Sequence, residues 1–337
     1  MPTSPENVCC WGQAESDRHT VKVTRLTLNG LSAASILLDP KVVRFRTIDG
    51  PSGASLMSYL PPKWSIPADV KWIEVNGYPM AYQDRGAGPP LVLVHGSFCD
   101  YRIWPDQLEP FSKQHRVLSV SLRHYFPELW DGVGNDFSFA QHADDVGAFV
   151  EKLDLGPVHL LGVSRGGAVA IEVAKKYPDF IRTLILADAG VRLELPETEA
   201  NLTATAFRSN LFADLRKDVA NGDVEGGTAR FMHRLIGPDF WESLSAGRQK
   251  EFLQNIRTAI VDDPLPLTTD EELRNFNFPV LMINGEKSPP MYGVLISEMQ
   301  NRGNFEPPVI IPYAGHAMTA ENPKAFNEAV LKFTSEH

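Results

Sequence analysis

The sequence predicts an α/β fold, a mostly parallel, doubly wound sheet into which a helical cap is inserted. Short continuous apolar runs, typical of strands buried on both faces, alternate with amphipathic helical segments. This alternation stops between residues 193 and 276, where the pattern is helical and strand-free. In addition, one apolar run leads directly into a Gly-x-Ser-x-Gly turn at Ser164.

The predicted elements divide the chain into three regions. Residues 1–66 show no clear period and end in a proline-rich stretch, so we expect an N-terminal extension. Residues 67–192 and 277–337 form the predicted core domain, and residues 193–276 form the predicted cap. The insertion leaves from the carboxyl end of a strand, where open α/β sheets bind ligands, so we expect the cap to lie over the site.

The core domain opens with a predicted hairpin and continues with strands and helices in alternation. Lys71–Val75 and Met80–Gln83 flank Asn76-Gly77, a dipeptide favoured in tight turns. A helix is predicted to start at Ser138, because Gln141 completes a capping-box pattern. The predicted buried strands are Leu91–Val94, Val117–Val120, Val158–Leu161, Leu184–Leu186, Val280–Ile283 and Val309–Ile311.

Composition narrows the class of partner. The net charge of −10 argues against nucleic acid or an anionic membrane surface and favours a small-molecule substrate. The cysteines, Cys9, Cys10 and Cys99, form neither a disulfide framework nor a zinc pattern, which indicates a reducing, cytoplasmic compartment. No run approaches the ~18 apolar residues of a membrane span. We expect no cofactor and no metal; the oligomeric state stays open, a homodimer included.

The Gly162-Val163-Ser164-Arg165-Gly166 segment reads as a nucleophile elbow. In this motif the serine stands on a strained strand-to-helix turn that only small flanking residues permit. A serine hydroxyl is a weak nucleophile at neutral pH and needs a neighbouring base. The motif therefore indicates nucleophilic catalysis with a histidine elsewhere in the chain.

Residues from about 70 to 337 resemble the α/β-hydrolase superfamily, in its capped branch of small-molecule hydrolases. Four separated pieces carry the resemblance, in the family's order and context: Val94-His95-Gly96-Ser97-Phe98, the elbow around Ser164, Leu186-Ala187-Asp188 and Ala314-Gly315-His316. The resemblance implies that Ser164 is the nucleophile and His316 its base. Members that use an elbow serine form an acyl-enzyme, whereas epoxide hydrolases and dehalogenases of the family use aspartate.

The third catalytic residue has two candidates, because the chain departs from the family pattern. The family usually places its acid in a Gly-x-x-Asp turn, and this chain has Gly285-Glu286-Lys287-Ser288 there. Some capped members carry the acid one strand earlier, at the position of Asp188. We therefore take Asp188 as the acid, with Glu286 as the alternative.

The resemblance also implies an oxyanion hole and a substrate pocket. Its expected donors are the backbone N–H groups of Ser97 and Arg165, and His95 is expected to shape that loop rather than relay protons. The Arg165 side chain can meet a substrate carboxylate or pair with the cap. Phe98, Trp104 and Tyr125 are expected to line an apolar pocket.

The predicted function is hydrolysis of a carboxylic ester or lactone of a small apolar molecule, through an acyl-enzyme on Ser164. The first alternative is a C–C bond hydrolase of a diketone-like substrate. The second is a slow-turnover ligand-binding or signalling member of the superfamily. A transferase or perhydrolase that uses the same acyl-enzyme also stays open.

Overall fold

A computed structural model describes residues 16–17, 20–21, 70–261 and 263–337. The chain separates into two compact units, residues 1–65 and residues 66–337. In the first unit, strands β1 (Ser16–Asp17) and β2 (Thr20–Val21) form an antiparallel pair. Most of the predicted extension, with Cys9 and Cys10, lies outside the described residues.

The second unit is built on an eight-stranded sheet of order β10-β9-β8-β7-β5-β6-β4-β3. Strand β4 pairs antiparallel with β3 and β6, and all other neighbours are parallel. The strands are β3 (Val70–Val75), β4 (Tyr78–Arg85), β5 (Pro90–Val94), β6 (Arg116–Val120), β7 (Val158–Val163), β8 (Ile181–Ala187), β9 (Val280–Gly285) and β10 (Val309–Ile311). The predicted hairpin and the α/β fold are confirmed.

One detail of the strand prediction is wrong. Val309 and Ile310 are 37% and 50% exposed, although their apolar run predicts a strand buried on both faces. Strand β10 is the edge of the sheet and pairs with β9 alone. Only Ile311 of this strand, 1% exposed, reaches the core.

Helices cover both faces of the sheet. Those before the insertion are α1 (Pro105–Ser112), α2 (Phe139–Lys152) and α3 (Arg165–Lys176), and those after it are α10 (Pro290–Gly303), α11 (Met318–Glu321) and α12 (Pro323–Glu336). Ser138 caps α2 as predicted, since its hydroxyl accepts the Gln141 N–H at 3.1 Å. No helix among the described residues is long and apolar enough to cross a membrane.

The segment between β8 and β9 is helical, as its sequence predicts. It contains α4 (Glu199–Ala220), α5 (Val224–Leu235), α6 (Phe240–Ser243), α7 (Ala246–Gln254), α8 (Ile256–Ile260) and α9 (Asp270–Arg274). Its apolar side chains form a cluster of their own, which includes Leu211, Phe231 and Trp241 and which Phe98 of the core joins. The boundaries of a cap at 193 and 276 stay a prediction.

Small residues let the elbow close. A Cβ on Gly162 would lie 2.2 Å from the Gly166 carbonyl oxygen, and a Cβ on Gly166 would lie 2.2 Å from the Val94 carbonyl oxygen. These clashes are with backbone, so no rotamer change relieves them. The glycines thus let α3 pack directly on the ends of β7 and β5, and they fix where Ser164 stands.

We expect Gly162→Ala to lower the free energy of unfolding by about 3 kcal/mol, because the added methyl group forces the elbow backbone apart. Gly237→Ala is the matched control, since a Cβ there meets nothing within 4 Å. Urea denaturation of both variants checks this. Equal stability of the two would contradict the packing described above.

His95 ties the loop after β5 to the loop after β6. Its Nδ1–H donates to the Gly96 carbonyl at 2.8 Å, and its Nε2 accepts the Leu122 N–H at 3.1 Å. Both ring nitrogens are therefore occupied in the neutral form, and the ring is fully buried. Burial lowers the pKa of His95 to about 4. Its contacts agree with a loop-shaping role.

This buried, neutral histidine predicts acid lability. In the unfolded chain the His95 imidazole becomes protonated near pH 6.5, whereas in the folded chain it stays neutral down to about pH 4. Its contribution to stability is thus complete above pH 6.5 and is lost as the pH falls toward 4. The difference between the unfolding free energies of the wild type and His95→Gln should therefore shrink by on the order of 3 kcal/mol as the pH falls through this range. Parallel curves in denaturant titrations at several pH values would rule this out.

Candidate active site

Ser164 stands at the carboxyl end of β7, on a backbone that few side chains adopt. Its φ is +53° and its ψ is −116°, outside the main allowed regions for a residue with a Cβ. Four hydrogen bonds hold this conformation: the Ser164 N–H donates to the Ala187 carbonyl at 3.0 Å, and the Ser164 carbonyl accepts from the N–H groups of Gly167 at 3.0 Å, Ala168 at 3.4 Å and Gly190 at 2.9 Å. The elbow is therefore anchored to α3 and to the end of β8.

Asp188, directly after β8, is hydrogen-bonded to His316. The distance from His316 Nδ1 to Asp188 Oδ2 is 3.0 Å. Ser288 donates to the same oxygen at 2.5 Å, and Asn284 donates to Oδ1 at 2.6 Å. The carboxylate is 1% exposed, and these three donors compensate for its burial. Asp188 thereby fixes the ring of His316 and leaves Nε2 directed away from it.

Glu286 has a different partner. Its Oε2 accepts the backbone N–H of Tyr313 at 2.7 Å, at the exposed turn that follows β10. Among the described residues it makes no hydrogen bond to His316, and Asp188 does. Of the two carboxylates that the sequence leaves open, the structure therefore brings Asp188 to the histidine.

Tyr292 is a site residue that the sequence analysis missed. Its ring stacks on the His316 ring at a centroid distance of 4.6 Å and an angle of 14°, and its hydroxyl lies 3.5 Å from Nε2. Burial and the charge of Asp188 raise the pKa of Tyr292, while Arg208 and a hydrogen bond with Ser164 act in the opposite direction. The neutral hydroxyl thus lies between Ser164 and His316. An aromatic residue near the start of a helix carries no sequence signal that separates it from core.

The two expected oxyanion donors lie beside Ser164. Arg165 is the first residue of α3, and Gly96, next to Ser97, lies so close that a Cβ there would be 3.2 Å from the Ser164 Cβ. Within the described ranges, the backbone N–H groups of Ser97 and Arg165 donate to no other residue. Both donors are therefore available to an oxygen held next to Ser164, and the N-terminus of α3 favours negative charge there.

The Arg165 side chain pairs with the segment between β8 and β9, which was one of its two open alternatives. Its Nη2 donates to Asp263 Oδ2 at 2.5 Å. Its guanidinium also lies 4.5 Å from the Phe137 ring centre and 4.0 Å from that of Phe139. Burial raises the pKa of Asp263, and Arg165 opposes this. Arg165 therefore connects the elbow to the helical segment.

The three expected pocket residues occupy different surroundings. Phe98 has a φ of +64° and packs 4.9 Å from the Phe231 ring of α5. The Tyr125 ring lies edge-on to His95, at 4.6 Å between ring centres. Trp104 is fully buried in the core cluster that contains α1 and α12. The contact of Phe98 with α5 brings it under the helical segment, whereas the surroundings of Trp104 are those of a core residue.

The described residues offer no metal site. None of their His, Cys, Asp and Glu side chains form a group of three that could hold a metal ion. Those near Ser164 are engaged with one another, as His316 with Asp188.

Comparison with known proteins identifies a family and several relatives of the chain. The sequence profile described as the Alpha/beta hydrolase family matches residues 91–329. The chain is 21% identical to (E)-2-((N-methylformamido)methylene)succinate hydrolase of Acinetobacter baylyi over 255 residues, which cover 74% of this chain and 91% of the relative. It is 24% identical to an uncharacterized carboxylesterase of Bacillus subtilis over 254 residues, 73% of this chain and 79% of the relative.

A solved structure shows the same fold. Carboxylesterase CesB from Bacillus subtilis superimposes with a TM-score of 0.64 at 17% identity, over 81% of this chain and 94% of that one. The family profile runs from β5 into α12 and includes the elbow and His316. The chain therefore belongs to the alpha/beta hydrolase family.

Proposed function

We propose that this hydrolase cleaves a carboxylic ester or lactone of a small apolar molecule through an acyl-enzyme on Ser164. The observation that carries the proposal is the Asp188–His316 hydrogen bond of 3.0 Å beside a serine elbow. An oriented histidine next to a strained serine is the arrangement that activates a hydroxyl for attack on a carbonyl carbon. In this proposal Asp188 is the acid, His316 the base and Ser164 the nucleophile.

The proposed reaction has two halves. His316 Nε2 takes the Ser164 proton as Oγ attacks the carbonyl carbon, and the carbonyl electron pair moves to the oxygen. The N–H groups of Ser97 and Arg165 stabilise that oxyanion. The imidazolium then protonates the leaving alkoxide as the ester C–O bond breaks. In the second half His316 deprotonates a water molecule, which attacks the acyl carbon. The bond between this carbon and Ser164 Oγ then breaks, and the imidazolium returns the proton to Oγ.

Tyr292 bears on the first proton transfer. In the described structure its hydroxyl, and not Ser164, lies at hydrogen-bond distance from His316 Nε2. Catalytic hydrogen bonds of this type are often long before substrate binds. We infer that Tyr292 positions the ring of His316 through stacking and that its hydroxyl gives way to the Ser164 hydroxyl when the ester substrate binds.

One observation favours a second candidate, the hydrolysis of a bond other than an ester. The Acinetobacter baylyi relative is named as the hydrolase of a substituted methylene succinate, not as an esterase. The C–C bond hydrolysis of a diketone-like substrate belongs to this class. Turnover of 4-nitrophenyl butyrate supports the ester proposal. Activity restricted to a diketone-like substrate overturns it in favour of the second candidate, and ligand binding without product favours a binding member of the family.

We expect Ser164→Ala to lower kcat for 4-nitrophenyl butyrate by about ten-thousand-fold or more, because the nucleophile is lost while the fold is kept. Labelling by a fluorophosphonate should disappear with it. Ser335→Ala, at an exposed position of α12, is the control that keeps both. Undiminished turnover or labelling of Ser164→Ala would show that Ser164 is not the nucleophile.

A paired substitution distinguishes the two carboxylates. Asp188→Asn should lower kcat by about 10³- to 10⁴-fold, because the amide no longer stabilises the imidazolium. Glu286→Gln should stay within about twofold of the wild type, since Glu286 accepts a turn N–H and lies away from the histidine. Thermal denaturation of both variants separates loss of activity from loss of fold. If only Glu286→Gln slows turnover in folded protein, the acid is Glu286.

A further inference from the structure

Arg208 is a partly buried cation that the proposed mechanism does not use. It lies on α4, which packs against α10, the helix that carries Tyr292. Its guanidinium carbon is 5.1 Å from the ring centre of Phe212, one turn further along α4. The packing of α4 on α10 therefore brings Arg208 toward the side of the site that Tyr292 and His316 form.

The electrostatic neighbours of Arg208 agree with this location. Its charge lowers the pKa of Tyr292 and that of Asp263, so the guanidinium influences both groups electrostatically. Burial lowers the pKa of Arg208 itself, and the charge of Arg165 contributes. These influences agree with the packing of α4, which carries Arg208, against α10, which carries Tyr292.

Arg208 differs from the other enclosed arginines in having no anionic partner. Arg102, Arg123 and Arg165 are each paired at 2.8 Å or less with an aspartate, namely Asp100, Asp145 and Asp263. In the described part of the chain no carboxylate oxygen lies within 4.0 Å of the Arg208 side-chain nitrogens. The guanidinium instead lies over the Phe212 ring. A cation removed from water without a partner is costly, and a bound anion removes that cost.

We propose that Arg208 binds a carboxylate of the substrate, so that the hydrolysed molecule is an apolar ester or lactone that carries one carboxylate group. This rests on the function proposed above. The planar guanidinium matches a carboxylate in a two-point hydrogen bond. A phosphate monoester carries about −1.5 to −2 charges, which a single guanidinium does not balance. The carboxylate is the anion that the local charge fits.

Two matched pairs of substrates test this. In the first pair the charge is on the acyl side: the mono-4-nitrophenyl ester of glutaric acid against 4-nitrophenyl valerate. In the second pair it is on the alcohol side: 4-acetoxybenzoate against phenyl acetate. For at least one pair we expect the wild type to prefer the charged ester in kcat/KM. Arg208→Gln should then reduce kcat/KM for that charged ester about 10- to 100-fold more than for its neutral counterpart.

Arg234→Gln is the matched control. Arg234 also lies over a ring, 5.9 Å from Phe207, but it is ion-paired with Asp214 on the surface. Its substitution should leave both ratios unchanged. Arg208→Lys should recover part of the preference, since a single charge without the planar geometry binds less tightly. Fluorophosphonate labelling and thermal denaturation report whether each variant keeps its nucleophile and its fold.

The outcomes separate this inference from the proposed function. If no ester is hydrolysed and Ser164 is not labelled, the proposed function fails and the Arg208 inference falls with it. If Ser164 is labelled and neutral esters are hydrolysed, but neither charged ester is preferred, only the Arg208 inference is overturned. An equal loss for charged and neutral esters in folded Arg208→Gln also overturns it.

Discussion

The buried carboxylate of Asp188 is the constraint on which the site depends. A charge that is 1% exposed is tolerated only when donors surround it. Its donors come from three other positions in the chain: Asn284 at the end of β9, Ser288 in the turn after it, and His316 after β10. Compensation of one charge therefore fixes the ends of β8, β9 and β10 relative to one another and sets the ring plane of the histidine.

Ser288 explains how the proposed acid, Asp188, can follow β8 when the family pattern expects the acid after β9. The turn itself is retained, because the Ser288 N–H donates to the Gly285 carbonyl at 3.0 Å. Ser288 Oγ lies 2.5 Å from Asp188. A carboxylate at position 288 would thus face a second carboxylate, and two such charges at contact repel strongly. Asp188 and Ser288 are complementary: with the acid on one strand, the neighbouring turn supplies a donor.

The sequence was sufficient for the fold and for the elements that carry the site, because strand periodicity and the elbow are local signals. It named Asp188 as the acid and Glu286 as the alternative, but the contacts that distinguish them, His316 with Asp188 and the Tyr313 N–H with Glu286, are made between distant loops. Tyr292 was not predicted as a site residue, because the sequence pattern of an aromatic residue in a helix is the same as that of a core residue. The exposure of Val309 and Ile310 was not predicted, because an apolar run does not show whether its strand lies at the edge of the sheet.

The charged side chains near Ser164 differ in whether they have a partner. The Arg165 charge is matched by Asp263, and the Asp188 charge is compensated by its three donors. Arg208 is then the cation near the site that no carboxylate of the described residues matches. The chain as a whole carries a net charge of −10, which would repel an anion at long range. That repulsion is screened over about 8 Å at physiological ionic strength, whereas a contact with a partly buried guanidinium is not. In the proposed binding of a carboxylate, the local charge of Arg208 therefore outweighs the repulsion from the distant charges of the chain.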